Sequence, residues 1–259
     1  MRADPQPQPQ SSNMEVHAHS HTPRKKWTHY LWEFLMLFLA VFAGFLAEYK
    51  LEHVIEHDRE KQYIRSLVAD LKENETQIGQ NLVVQEKRLN MMDSMIAILN
   101  NHSQIKGNEG LLYFFARVSP RMTPLPVNTR TFEQLKNSGN FRLIRNIETS
   151  NKIMTYYENI RMLRLVEELY QKEFDNYKMV ASRVFDPAVF VSMEMPNGNI
   201  IRTNENPPLQ SYDISNTKQL AMFAVYMNGS ARGIIQQATK FRNEGKEMMD
   251  YLQKEYHLE

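Results

Sequence analysis

Apolar residues fall into two kinds of pattern along this chain. From Phe34 to Ala47 they are continuous, fourteen residues reading Phe-Leu-Met-Leu-Phe-Leu-Ala-Val-Phe-Ala-Gly-Phe-Leu-Ala without a charge. Elsewhere they recur at alternating steps of three and four, the spacing of one face of an α-helix. A first stripe runs Ile64, Leu67, Leu71, Ile78, Leu82, Leu89, Met92, Ile96 and Leu99, with one extra step of four near Ile78. A second runs Ile153, Tyr156, Ile160, Leu163, Tyr170, Phe174, Tyr177 and Ala181, broken at Glu167. A third runs Leu220, Ala224, Met227, Ala231, Ile234, Ala238, Phe241, Met248 and Leu252, with Gly245 as its weak position. The stripes predict three long helices: one from Trp27 to about Asn101, one from Ile147 to Val184, and one from Asp213 or Ser215 nearly to the last residue. Their Met and aromatic side chains read as core, not as a cofactor box.

Prolines agree with this division. A proline inside a helix costs about 3 kcal/mol, and none occurs in residues 24–119, 127–186 or 209–259. Short helices are expected at Leu111 to Val118 and Phe132 to Lys136, the second stopped by Ser138-Gly139. Asn146 is placed to cap the second long helix. Val189 to Arg202 reads as a small β-hairpin turning at Asn197-Gly198. Residues 1–26, rich in Pro, Gln and His, have too little to bury and read as a disordered tail. The expected fold is all-α, with one N-terminal transmembrane helix (27–49) continuous with an elongated antiparallel helical bundle in 50–259, some 60 Å long at about 1.5 Å per residue.

The apolar run is short enough to be a buried helix, but its flanks favour a membrane span. Trp27, Tyr30 and Trp32 on one side and Tyr49 on the other sit where an interfacial aromatic belt would be, behind Arg24, Lys25 and Lys26. From Tyr30 to Tyr49 the helix covers about 30 Å, a bilayer core, with Glu33 reaching headgroup level. Lys and Arg counts on the two sides are equal. A short basic region before an apolar core is also the layout of a secretory signal, so both readings put the chain beyond Glu48 outside the cytoplasm. Anchoring is preferred over cleavage because the helix pattern continues through Glu48-Tyr49-Lys50 without a turn residue. The expected location is the inner membrane, N-terminus cytoplasmic and bundle periplasmic. Ala40 with Gly44, and Ala43 with Ala47, have the spacing of a close helix–helix seam, which would make a homo-oligomer.

Charge changes the picture only once it is divided by region. The chain has 259 residues with 31 Lys+Arg against 30 Asp+Glu, but residues 1–26 hold four basic and two acidic groups, the span holds Glu33 alone, and residues 48–259 hold 27 of each sign. That balance is not the basic footprint of a nucleic-acid binder. The absence of cysteine excludes a disulfide framework and a cysteine zinc module. A mean hydropathy of -0.54 fits a short span diluted by a long polar domain.

Lys25-Lys26-Trp27 through Leu46-Ala47-Glu48, continuing as Glu60-Lys61-Gln62-Tyr63-Ile64 and Leu67-Val68-Ala69-Asp70-Leu71, resembles a family of uncharacterised single-pass membrane proteins of Gram-negative bacteria. A second similar segment holds Thr131-Phe132-Glu133-Gln134-Leu135, Ser138-Gly139-Asn140-Phe141, Ile144-Arg145-Asn146 and Tyr156-Tyr157. The two cover about half the chain. The resemblance implies an inner-membrane anchor and a domain of unknown function, and it carries over no catalytic residue.

Candidate chemistry is sparse. His17, His19 and His21 alternate with small residues and could chelate Zn, Cu or Ni, against the plainer account of a polar tail. His53 and His57 lie one turn apart among Glu52, Glu56 and Asp58, which would let two imidazoles and a carboxylate share a face. This is not the order of a zinc protease, and protonation below about pH 6.5 could instead bias packing. No phosphate loop, dinucleotide fingerprint or nucleophile elbow occurs. Glu167 and Glu168 have Arg161, Arg164 and Lys172 at helix-neighbour spacings and read as surface pairs. No enzyme and no cofactor is expected. The expected partners are the lipid bilayer, a second copy and an envelope protein. The leading expectation is an interaction or scaffolding module in the cell envelope; the alternative is a sensory or ligand-binding bundle acting through a partner. An exposed apolar patch on the irregular 104–146 region or on the 187–213 connection would favour the first, and a buried polar pocket among the long helices the second.

Overall fold

The computed structural model describes residues 26–258. Among these residues the chain is all-α, with six helices: α1 Trp27–Asn100, α2 Glu109–Val118, α3 Arg130–Asn137, α4 Ile147–Val184, α5 Pro187–Ser192 and α6 Ile214–Glu255. Short 3-10 turns occur at His102–Gln104 and Asn140–Leu143. The fold divides into two compact units between Val54 and Ile55, and α1 contributes to both.

Local chemistry sets the helix starts. The Asn146 side chain accepts the Thr149 N–H at 3.2 Å, capping α4 as its position predicts. Asp213 accepts the Asn216 N–H at 2.9 Å to start α6. Asp186 accepts the Ala188 N–H at 2.8 Å with Pro187 in the first turn, and this start signal decides the conformation of 187–192. The expected hairpin over 189–202 is therefore corrected over its first four residues. Val189 to Ser192 are helical in α5, and cap plus proline outweigh the β preference of the two valines. The rest of the segment holds one antiparallel bridge, Glu194 to Ile200, around a turn with Gly198 at φ 78°.

In the first unit every residue from Lys26 to Glu52 is exposed, apolar ones included. In the second unit the three stripes meet. Ile64, Leu67, Leu71 and Ile78 of α1 share a cluster with Ile153, Tyr156 and Leu163 of α4 and with Ala238, Phe241 and Leu252 of α6. Another cluster joins Met92, Met95 and Leu99 to Tyr170, Tyr177 and Val184 and to Leu220, Ala224 and Met227. Polar pairs run in opposite order along α1 and along α6 with Tyr256, the residue just after it. Tyr256 donates to Glu60 at 2.8 Å, Arg242 Nη2 to Glu75 at 2.5 Å and Arg232 Nη2 to Asp93 at 2.7 Å.

The interruptions in the stripes have a shared use. Asn74 occupies the gap between Leu71 and Ile78, fully buried, and exchanges two hydrogen bonds with the Asn128 backbone, giving Nδ2–H to its carbonyl at 3.0 Å and taking its N–H at 2.6 Å. Gln85, in the next gap, donates to the Thr123 carbonyl at 3.2 Å. Glu167, the break in the second stripe, accepts the Leu125 N–H at 2.7 Å, and Arg164 donates to the Leu125 carbonyl at 3.1 Å. Buried Asp70 accepts the Thr131 N–H at 3.0 Å and Asn128 Nδ2–H at 3.0 Å. The proline-bearing stretch before α3 has no regular partner for its backbone, and buried backbone groups need one. Polar side chains of α1 and α4 supply it.

Candidate functional site

Trp27, Tyr30, Trp32 and Tyr49 are all exposed on α1, and Glu33 lies 3.0 Å from His29 one turn earlier. Ala40, Ala43, Gly44 and Ala47 are exposed too, and a Cβ at Gly44 would meet nothing within 4 Å. Phe34, Phe38 and Phe42 stack in a ladder with centroids 6.4 and 6.0 Å apart. At about 100° per residue this ladder lies on the side of the helix opposite the small residues.

His53 and His57, one turn apart on α1, make different contacts. His53 packs edge-on against Tyr49, with centroids 4.5 Å apart, whereas His57 Nδ1 is 3.6 Å from the buried Glu60. Glu60 is already occupied, accepting the Arg145 N–H at 3.0 Å and the Tyr256 hydroxyl at 2.8 Å. Burial and the bond to Glu60 push the Tyr256 phenol well above its ordinary value. Among the described residues no group of three or more His, Asp or Glu side chains is placed to hold a metal ion. His17, His19 and His21 lie outside the described residues.

The connection from α4 to α6 offers more. Glu109, in the first turn of α2 and buried, accepts the Gly107 N–H at 2.7 Å, the Tyr212 hydroxyl at 2.9 Å and the Asn206 amide. Burial alone would raise its carboxyl. The bonds from backbone, Asn206 and Tyr212 outweigh that and hold it below the usual glutamate value. Asn206 Oδ1 takes the Gly110 N–H at 2.7 Å. Gly110 is required here because a Cβ would stand 2.6 Å from the Glu205 carbonyl oxygen. Tyr113 completes the latch, accepting the Asp186 N–H and donating to the Pro208 carbonyl, each at 3.0 Å. Its ring packs on Phe185 and Phe190, with centroids 5.0 and 5.5 Å away.

Although it is fastened this firmly, the connection keeps large apolar side chains outside. Val191 is 73% exposed, Ile201 47% and Met195 41%. Beside them a cavity of about 640 Å³ opens between α2, α4 and α5, walled by Phe174, Tyr177, Phe185 and Phe190 and edged by Arg117, Lys178 and Glu194. A groove of about 660 Å³ lies between the start of α4 and the end of α6, on Tyr156, Met248 and Tyr251. Its one cation, Lys152, is 2.8 Å from Glu148 and lies over the Tyr251 ring at 4.0 Å.

Comparison with known protein families, curated proteins and solved structures gives no match to this chain. The site therefore rests on its own geometry. The stripes give no sign of it: Glu109 and Tyr113 lie one turn apart on α2, but Asn206 lies 97 residues beyond Glu109, and the three form no local motif. The one local signal is the apolar, helix-breaking composition of 187–208.

Proposed function

We propose that this protein is a membrane-anchored interaction module, in which the apolar part of α1 holds the chain in a bilayer and the α4–α6 connection docks a protein partner. One helix is long and apolar enough to cross a membrane. Its most apolar 18 residues average a hydropathy of 2.0 and none of them is buried. The observation that carries the docking reading is the exposure of Val191, Met195 and Ile201 on a connection fastened to α2 through Glu109, Gly110 and Tyr113. An ordered apolar patch without a covering element is what a partner surface supplies. The finer elements of this reading are an antiparallel α1–α4–α6 bundle, a cytoplasmic N-terminus, a periplasmic domain, and membership in the single-pass envelope family that the sequence resembles.

Crosslinking in native membranes, with identification of the bound proteins, tests it. A specific partner should be captured by the wild-type chain, lost in the Met195→Glu/Ile201→Glu variant, and retained in Ile147→Glu, where an even more exposed apolar residue lies elsewhere. Recovery of only the protein itself, or equal capture by both variants, overturns the docking reading. Leu39→Arg tests the anchor separately. An arginine at mid-span costs about 3 kcal/mol of insertion, and the chain should shift out of the membrane fraction.

A further inference from the structure

We propose that the cavity between α2, α4 and α5 binds a small carboxylate with an aromatic body, gripped by Arg117. The inference goes beyond the docking reading and does not depend on it.

Arg117 is the deciding residue. It lines the cavity, and its Nη2 donates to Glu194 at 3.1 Å. Its Nε is shielded from solvent and has no acceptor among the described residues. The Nε and Nη2 hydrogens of a guanidinium form one edge of two parallel donors, matched to the two oxygens of a carboxylate. Glu194 fills half of that edge, from a position where its own side chain is half exposed. A ligand carboxylate seated in the cavity would take both donors and displace Glu194. Lys178, at the rim, adds positive charge to the approach; its Nζ is 2.7 Å from Asp175 and sits over the Phe174 ring at 4.8 Å.

The rest of the cavity suits the body of such a ligand. Four aromatic rings line it, and a volume of about 640 Å³ lies within the range of small-molecule sites, about 300 to 1,000 Å³. The α4–α6 groove, of similar size, is lined by none of the shielded polar atoms that lack a partner. Acidic Glu148, Glu244 and Glu247 edge it, which disfavours an anion.

The probe is 2-naphthoate, offered by equilibrium dialysis at pH 7 to the full chain in lipid nanodiscs, with empty nanodiscs as background and 2-naphthylmethanol as the neutral analogue. Saturable binding of one naphthoate per chain is expected, with the alcohol about tenfold weaker, since it cannot make the paired charged contact. Arg117→Gln should weaken naphthoate by about tenfold or more and leave the alcohol unchanged. Glu194→Gln should tighten naphthoate several-fold, because the competing carboxylate is gone. Ser182→Trp, at an exposed position on the cavity wall, should abolish binding of both. No saturable binding above empty nanodiscs, equal affinity for the alcohol, or weaker binding in Glu194→Gln would each overturn the proposal. If Arg117→Gln fails to fold, the Glu194 and Ser182 variants decide.

Discussion

The two irregular connections, 119–146 between α2 and α4 and 185–213 between α4 and α6, meet one requirement in different ways. Each carries backbone groups that no helix or sheet satisfies, and each borrows side chains to satisfy them. The first borrows from the long helices themselves, through Asp70, Asn74, Gln85 and Glu167. Its apolar residues turn inward, with Leu125, Leu135 and Ile144 all buried. The second borrows Tyr113 of the short helix α2 for its backbone, while Glu109 of α2 holds its Asn206 and Tyr212 side chains; it buries Phe185, Met193 and Leu209 and leaves Val191, Met195 and Ile201 outside. Irregular structure held in place is thus not by itself a mark of function, since the first connection serves the core. Apolar surface kept on such a segment is the distinguishing feature.

The sharpest way to break this contrast is at Asp70. Asp70→Ala leaves the Thr131 N–H and the Asn128 amide without their shared acceptor in a buried setting, and should destabilise the fold by about 3 kcal/mol. Urea unfolding of the full chain in nanodiscs measures it, and a loss under about 1 kcal/mol would mean that the first connection is not fastened to the core. The corresponding lesion for the second connection is Gly110→Ala, on the helix α2 that holds it. Its new Cβ cannot coexist with the Glu205 carbonyl at 2.6 Å, so 205–206 must move, at about 2 kcal/mol. Hydrogen exchange should rise in the second connection and stay unchanged in the first; a uniform rise would merge the two into one cooperative unit.

How far this contrast is legible in the sequence depends on how local each signal is. The bounds of α4, the Asn146 cap and the start of α6 at Asp213 are set by residues within one turn of the event. The stripes locate the core, and their gaps are visible. Why the gaps exist is hidden. The partners of Asn74 and Gln85 lie 54 and 38 residues away, and a polar residue on a seam looks like a defect until its partner is known. Glu167 reads as a surface ion pair, and Arg164 does lie 2.7 Å from it, but its other oxygen holds the Leu125 backbone. Gly245, the weak position of the third stripe, gives room to the Tyr156 hydroxyl, which would stand 2.8 Å from a Cβ there. The hairpin expectation fails at Val189 and Val191 because it weighs β propensity without the Asp186-Pro187 start signal just before them. Arg117 and Glu109 carry no motif at all; their roles exist only once α2, α5 and the second connection are folded together.

Acid should separate the connections more gently. Glu109 is held below its ordinary value in the folded state, so its contribution is fully present above the unfolded glutamate pKa, about 4.3. It is lost as pH falls through that value toward the lower folded one. Glu109→Gln should therefore cost about 1 kcal/mol at pH 7, and the gap between variant and wild type should narrow in thermal unfolding at about pH 3.5. A gap that widens in acid would show that Glu109 is bound as a neutral group and that a charged latch does not hold this connection.

The smallest expected effect discriminates most between the connections. If Val191 and Ile201 served the fold as Leu125 and Ile144 do, shortening them would open cavities, and Val191→Ser with Ile201→Ser would cost several kcal/mol. Exposed as they are, the double variant should unfold within about 0.5 kcal/mol of wild type, because the side chains are in water both before and after unfolding. Urea midpoints of the two proteins in the same nanodiscs decide it. A substantial loss would mean that the second connection, like the first, spends its apolar residues on the core, and that the apolar patch is no docking surface. Unchanged stability, together with loss of crosslinked partner, leaves an external protein surface as the element that covers them.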